Sequence, residues 1–298
     1  MATMIITGTI ITTTTTAGMA RIATTEAAAG PAPAGCPAPA GGSGGTTASG
    51  RGGAYADPAP GHGARPDLLP LFVWLSPAYP VGAFAYSHGL EWAVEAGDIR
   101  DAATLRDWID DLLVAGGPFS DAMFLAHAWR AAGGTDGGCA EPPGLDTAAL
   151  RDVAELAAAF APSRERQMES LNQGDAFVAA TRLAWPAPGL DEAFAAWDGR
   201  FAYPVAVGIA AAVHGLPLAP TLDAFLAAIV SNLVSAAVRL VPLGQSDGNR
   251  TIAALAPTIR RAAARAGQVP LDRIGGAAFR SDVASMRHET QYTRLFRS

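Results

Sequence analysis

The stretch "TLDAFLAAIVSNLVSAAVRLV", residues 221–241, decides the fold class. Its length and its almost unbroken apolar character predict a helix that is either buried in a core or placed across a membrane. Ser231, Asn232, Ser235 and Arg239 interrupt the apolar run. Polar and charged side chains are costly in a bilayer. We therefore predict a buried core helix in a protein that does not bind a membrane.

The polar residues of this helix recur about one turn apart, so they form a stripe. A buried polar stripe needs hydrogen-bond partners. We favour partners inside the same domain, and the alternatives are a subunit interface or a water-filled passage. The polar residues 245–249 that follow are predicted to form a loop that could face a partner.

Helical patterns also dominate the chain before this segment. Asp101 is predicted to cap a helix over residues 102–116, in which Leu105, Trp108 and Leu112 share one face. Ser163 is predicted to cap a second, longer helix. The segment "AYSHGLEWAVEAG" is predicted to be one helix that ends at Gly97.

Neither a strand pair nor a repeat of fixed period is evident. We predict an all-α fold for residues 67–298, with about eight to ten helices in a single bundle-like domain.

The first 66 residues have a different composition. They are rich in Thr, Ala, Gly and Pro, with too few large apolar residues to offset the entropy of ordering. We predict a disordered, low-complexity extension over residues 1–66. The two cysteines, Cys36 and Cys139, lie in Gly/Pro-rich segments. Two such cysteines do not form a disulfide framework, and this favours a location in the reducing cytoplasm.

The net charge of −6 is unevenly distributed. From residue 247 to the end there are nine Arg against four acids, a charge of +5, and the rest of the chain carries −11. This asymmetry argues against nucleic-acid binding. It favours a basic tail that meets an acidic protein surface, although an acidic body also simply keeps a protein in solution.

The catalytic motifs HExxH, GxGxxG and GxxxxGK are all missing, and a chain without lysine cannot supply a P-loop or Schiff-base lysine. The five histidines lie far apart in sequence, with no second ligand at metal-binding spacing. We predict a binding protein rather than an enzyme, with no metal site on the single chain.

Two further stretches of the sequence suggest sites that bind a protein partner. "SPAYPVGAFAYSHGLEWAVEAG", residues 76–97, crowds Tyr79, Phe84 and Tyr86 into a Pro/Gly loop just before His88. Such a loop either binds a partner or forms a packed elbow between two helices.

The last stretch is "SDVASMRHETQYTRLFRS", residues 281–298. On a continuous helix, Arg280, Arg287 and Arg294 would share one stripe, and Phe279, Val283 and Met286 would share an apolar side. This pattern indicates either a segment that docks on a partner or a terminal helix that docks on its own domain.

These two stretches, together with "NLVSAAVRLVPLGQSDGNR" at residues 232–250, resemble the urease accessory protein family UreF. The resemblance runs from about Leu68 to Ser298. It implies an all-α cytoplasmic homodimer without catalysis of its own. It implies a UreD-like (UreH-like) partner, a UreG-like GTPase and apo-urease, with nickel and GTP handled by the complex and no cofactor bound tightly by this chain.

The resemblance also implies that residues 277–298 form a partner-docking tail. We expect Met286, Tyr292, Leu295 and Phe296 to become buried on the UreD-like protein, and Arg294 to be held by Tyr86. The predicted partner-binding residues are Tyr79, Phe84, Tyr86, His88, Arg250, Arg280, Met286, Arg287, His288, Tyr292, Arg294, Leu295 and Phe296.

Two other functions are compatible with the sequence. One is a regulator of the partner GTPase that supplies Arg250, Arg287 or Arg294 as a finger. The other is a nickel carrier in which His88 or His288 meets its copy at a dimer axis.

Overall fold

A computed structural model describes residues 67–136 and 144–298. The predicted disordered extension and both cysteines lie outside these ranges. The described residues form helices without strands, which confirms the all-α class. Eight helices have ten or more residues and three are shorter: α1 (Leu69–Trp74), α2 (Leu90–Glu95), α3 (Ala102–Ala115), α4 (Gly117–Ala131), α5 (Thr147–Ala159), α6 (Arg164–Ala184), α7 (Leu190–Phe194), α8 (Tyr203–Val213), α9 (Leu218–Leu240), α10 (Gln245–Ala266) and α11 (Phe279–His288).

The centre of the core is the contact between α4 and α8. Helix α8 is buried without interruption from Pro204 to Ala211, and α4, α6 and α9 pack around it. Gly208 permits the closest approach, because a Cβ atom there would lie 2.5 Å from the carbonyl oxygen of Leu125 on α4. Trp129 Nε1, also on α4, donates a hydrogen bond to the Leu216 carbonyl oxygen at 2.9 Å.

Helix α9 contains the apolar stretch for which the sequence allowed either a buried core helix or a membrane span. It is long and apolar enough to cross a bilayer, and half of its most apolar window is buried inside the protein. It packs against α10, α4, α2 and α3. The helix therefore belongs to the core, as its interrupted apolar run predicts.

The polar stripe of α9 finds partners within the domain. Asn232 Nδ2 donates to the Tyr86 carbonyl oxygen at 3.3 Å, and Arg239 Nη2 donates to the Phe84 carbonyl oxygen at 3.0 Å. The stripe thus fixes the aromatic loop, residues 76–89, against the core. Ser231 and Ser235 are exposed.

Two predicted helix starts are confirmed. Asp101 caps α3 by accepting from Thr104 N at 2.9 Å, and Ser163 caps α6 by accepting from Arg166 N at 3.2 Å. Both caps satisfy backbone N–H groups that a helix leaves without intrahelical partners.

Two predicted boundaries are wrong. Helix α2 begins at Leu90, because His88 (φ 57°) and Gly89 (φ 76°) adopt left-handed backbone conformations that no α-helix contains. Residues 245–249 are not a loop but open α10. The Asp247 carboxylate accepts from Gly244 N at 3.2 Å and closes the first turn.

The close contact of α4 and α8 generates a stability prediction. Gly208→Ala should destabilise the protein by about 1–3 kcal/mol, because the new methyl group meets a backbone carbonyl that cannot move alone. Gly275→Ala is the matched control, since a Cβ atom there meets no atom within 4 Å; its effect should stay within about 0.5 kcal/mol. Urea unfolding of both variants checks this, and equal midpoints would contradict the packing argument.

Candidate functional site

The C-terminal tail, residues 277–298, lies on the body of the domain. Helix α11 packs on α2 and on the start of α6. Gly89 allows this approach, because a Cβ atom there would lie 2.6 Å from the Ser285 backbone nitrogen. The hydroxyl groups of Ser285 and Ser163 lie 2.5 Å apart and are buried. The interpretation of a terminal helix that docks on its own domain is therefore confirmed for α11.

His288, the last residue of α11, is fully buried between two carboxylates. Its Nδ1 lies 2.6 Å from Glu165 Oε2, and its Nε2 lies 3.2 Å from Glu91 Oε2. Carboxylate oxygens only accept hydrogen bonds, and both ring nitrogens donate only in the protonated imidazole. Both ring nitrogens of His288 therefore lie within hydrogen-bond distance of a carboxylate oxygen.

After α11 the chain continues without regular structure and is held by polar bonds. The Glu91 carboxylate accepts from Leu295 N at 2.7 Å and from Phe296 N at 2.9 Å. Arg294 Nη1 donates to Glu165 Oε1 at 2.6 Å. These bonds connect the tail to α2 and α6.

Ser298 is almost completely buried. Its carbonyl oxygen accepts from Ser87 N at 2.7 Å and from Ser87 Oγ at 2.5 Å. Its hydroxyl donates to Glu169 Oε2 at 2.6 Å. The tail thus reaches a buried cluster of charged residues beneath the aromatic loop.

We call this group the charged cluster: His88, Asp121, Arg166 and Glu169. Arg166 Nη1 lies 2.5 Å from Glu169 Oε2, and His88 Nε2 lies 2.9 Å from Glu169 Oε1. Burial alone would raise the pKa of Glu169, but the charges of Arg166 and His88 outweigh burial and hold this pKa far below its usual range. Burial raises the pKa of Asp121, against the opposing effect of Arg166.

The charged cluster forms one end of a cavity of about 350 Å³. The other walls come from the aromatic loop, α8 and α9, including Tyr79, Tyr203 and Phe225. Tyr79 is buried, its hydroxyl lies 2.9 Å from Thr181 Oγ1, and burial raises its pKa. The Nδ1 atom of His88 is buried without a hydrogen-bond partner.

Large apolar side chains of the tail remain on the outside of the protein. We call them the tail surface: Phe279, Val283, Met286, Tyr292 and Leu295, whose exposed fractions range from 50% for Met286 to 103% for Tyr292. Exposed apolar residues grouped on one segment are typical of protein-binding sites. Arg287 lies next to Met286 and is also exposed.

Phe296 is an exception among the predicted docking residues, because it is only 4% exposed. Its ring packs under the Arg239 guanidinium, with 4.3 Å from the guanidinium carbon to the ring centroid. The expectation that Phe296 is buried by a partner is therefore wrong, because its own domain already buries it. The side chain anchors the tail to α9 within its own domain.

The predicted arginine stripe is also wrong. Helix α11 ends at His288, so Arg294 does not continue the stripe of Arg280 and Arg287. Arg294 pairs with Glu165 rather than with Tyr86. Tyr86 is buried, and its carbonyl oxygen accepts from Asn232.

The structure separates the other predicted residues into distinct places. Phe84 is 68% exposed on the aromatic loop. Arg280 pairs with Asp98 at 2.6 Å at the base of α11. Arg250 lies on α10, where it pairs with Asp247 at 2.5 Å. The tail surface therefore forms without Arg250.

The nickel-carrier hypothesis required His88 or His288 to be available at a dimer axis. Both side chains are instead buried in the monomer and bonded to glutamates. Within residues 67–136 and 144–298, no group of three or more His, Cys, Asp or Glu side chains is arranged to hold a metal ion.

The sequence did not single out the glutamates that hold the tail. Glu91 occupies a buried position on α2, and Glu165 and Glu169 lie about one turn apart on α6. The available signal was weak: Glu91 falls within an apolar run, and Arg166 and Glu169 have the spacing of a helical ion pair.

The fold and the site define a class of all-α protein that carries an exposed apolar surface on a docked tail. The family model UreF matches residues 99–256. The urease accessory protein UreF of Xanthobacter autotrophicus is 56% identical over 252 residues, which cover 83% of this chain and 100% of that relative. The UreF protein of Bradyrhizobium diazoefficiens is 56% identical over 231 residues, which cover 78% of this chain and 91% of that relative.

The chain therefore belongs to the UreF family of urease accessory proteins. This confirms the resemblance that the three sequence stretches carry.

The charged cluster generates a prediction with a pH dependence. Glu169→Gln should cost about 3 kcal/mol at pH 7, because it leaves Arg166 buried without its closest anion. The folded-state pKa of Glu169 lies below its unfolded value of about 4.3, so its stabilising effect is complete above that pH and decreases as the pH falls further. The difference between wild type and variant should shrink below about pH 4.

Urea unfolding between pH 7 and pH 3 measures this difference. Asp191→Asn is the control, since it removes an exposed pair with Arg182 and should change stability by less than about 1 kcal/mol. A Glu169→Gln effect that is no larger than the control would contradict the proposed importance of the cluster.

Proposed function

We propose that this chain is a scaffold in urease maturation. It binds a UreD-like (UreH-like) protein through its tail surface, and the joint complex recruits a UreG-like GTPase and delivers nickel to apo-urease. Nickel is cargo of the complex and GTP is the substrate of the partner, so this chain binds neither tightly. Its place of action is the cytoplasm. Family membership supports the pathway.

The observation that carries the proposal is the position of the tail surface. Polar bonds hold the tail backbone to the body, yet Met286, Tyr292 and Leu295 point outward. A partner that covers them gains roughly 1.5–3 kcal/mol for each large apolar side chain fully buried. Because the tail is already ordered, little of that gain is lost to ordering entropy.

The charge of the tail favours an acidic partner. Arg287 and Arg297 are exposed near the apolar residues of the tail. Arginines at the rim of an apolar patch steer an acidic surface toward it and improve specificity more than affinity. We therefore expect the UreD-like partner to present a groove with apolar walls and an acidic rim.

A second copy of the chain has a separate candidate surface. Helix α9 is the most apolar long helix, yet Ser231 and Ser235 on it are exposed. Phe72 of α1 and Phe84 of the aromatic loop are 73% and 68% exposed. Both adjoining elements contact α9. We propose that this face is covered in a homodimer.

The tail surface can be tested with single charged substitutions. Met286→Asp and Tyr292→Asp should each reduce copurification of the UreD-like protein at least about tenfold, because a charge buried in an apolar contact costs more than 1.4 kcal/mol. Both side chains are exposed, so the isolated chain should keep its fold. Leu183→Asp is the matched control, since Leu183 is 86% exposed near the far end of α6.

The measurement is affinity purification of the full chain from cells that also express the cognate UreD-like and UreG-like proteins. If both tail variants copurify the UreD-like protein as well as Leu183→Asp does, the tail surface is not the docking site.

A second candidate function is regulation of the GTPase by an arginine supplied in trans. The specific observation in its favour is that Arg287 is exposed next to Met286 of the tail surface, whereas Arg294 and Arg250 pair with acids. An arginine finger accelerates hydrolysis by about 10³-fold or more.

The scaffold function predicts no such acceleration when the chain and its UreD-like partner are added to the UreG-like GTPase. The measurement is the single-turnover rate of GTP hydrolysis. Acceleration that Arg287→Ala abolishes and Arg297→Ala preserves would favour the regulator.

A further inference from the structure

The tail is bound to its own domain mainly by polar contacts. Residues 289–298 bury one large apolar side chain, Phe296, while Tyr292 and Leu295 are exposed. Burying one aromatic side chain does not by itself determine the path of ten residues of irregular backbone. The bonds that determine this path must therefore come from the polar groups of the body.

Glu91 supplies two of these bonds, to two consecutive backbone amides. Its side chain is buried on α2. Its Oε1 accepts from Leu295 N at 2.7 Å, and its Oε2 accepts from Phe296 N at 2.9 Å and faces His288 Nε2 at 3.2 Å. One carboxylate thus contacts both the end of α11 and the irregular segment that follows it.

The arrangement requires a carboxylate, and a neutral polar group such as an amide would not replace it. Two successive backbone N–H groups that converge on one point form a small anion-binding concavity. Bonds from N–H groups to an ionised carboxylate are about twice as strong as bonds between neutral groups. An amide in the same place has a single acceptor oxygen, and its NH2 group would face a donor.

The consequence concerns the direction of neighbouring side chains. With both amides directed at Glu91, Phe296 enters the body next to Arg239 and Leu295 faces outward. If the hydrogen bonds from these two amides to Glu91 were lost, Leu295 and Tyr292 could move away from their positions in the tail surface.

We propose that Glu91 is the positioning residue of the tail surface: its carboxylate holds the segment after α11 in the one conformation that a partner binds. The part that concerns the partner rests on the proposed function, and the part that concerns the tail conformation stands on the isolated chain. Glu165 assists by pairing with His288 and Arg294, but its carboxylate contacts side chains only.

The test compares two glutamates of the same helix by hydrogen–deuterium exchange of the isolated full chain. Glu91→Gln should increase the exchange rates of the Leu295 and Phe296 amides at least tenfold. Amides of α4 and α8 should keep their protection. Glu95→Gln is the matched control, because Glu95 is exposed and accepts one bond, from Gln291 Nε2 at 2.6 Å, which a glutamine oxygen also accepts. Unchanged exchange at residues 295 and 296 in Glu91→Gln would overturn the proposal.

A second variant addresses the same bond from the tail, in case Glu91→Gln does not fold. Leu295→Pro removes one N–H donor and leaves the body intact, because the Leu295 side chain is 61% exposed. Exchange of the Phe296 amide and of the Ser87 amide, which donates to Ser298, should become severalfold faster. Wild-type exchange at both amides would again overturn the proposal.

Copurification of the UreD-like protein separates this inference from the proposed function. Faster tail exchange in Glu91→Gln together with at least tenfold weaker copurification, with Glu95→Gln like wild type on both measures, supports the full proposal. Faster tail exchange with normal copurification in Glu91→Gln, Met286→Asp and Tyr292→Asp alike overturns the docking function of the tail, while the positioning role of Glu91 in the free chain stands.

Discussion

The rest of the site depends on the ion pairs and hydrogen bonds of the buried Glu169 carboxylate. It binds Arg166 on its own helix, His88 of the aromatic loop and Ser298 at the end of the tail. A buried carboxylate is unfavourable unless such partners surround it. The same requirement therefore brings together three segments that are far apart in sequence and places the loop and the tail side by side.

Around this centre the molecule uses two different kinds of contact. The core between α4, α8, α9 and α10 is apolar and closely packed. The tail is attached mainly through glutamates, with Phe296 as its one large buried anchor after α11. Apolar burial stabilises the core as a unit. Charge-assisted hydrogen bonds instead fix the path of the tail backbone, and they do not require the apolar side chains of the tail to be buried. The apolar side chains Tyr292 and Leu295 therefore stay exposed.

Much of the fold could be predicted from the sequence because the signals are local. The 3.6-residue periodicity, the caps at Asp101 and Ser163 and the interrupted apolar run of α9 each depend on neighbours within a few turns. The three sequence stretches also predicted the family correctly. The wrong predictions, the start of α2 and residues 245–249, fall where a left-handed residue or a single capping bond decides the boundary.

The sequence by itself determined the helical class, the position of most helices and the basic tail. Only the tertiary structure decided which tail residues face outward and which bind the body. Phe296 is buried and Leu295 is exposed although they are neighbours, because the Glu91 carboxylate, 204 and 205 positions earlier in the chain, accepts hydrogen bonds from both of their backbone amides. The pairing of Arg294 with Glu165, like the burial of His288 between two carboxylates, depends on packing between α11, α2 and α6, and no local pattern encodes it.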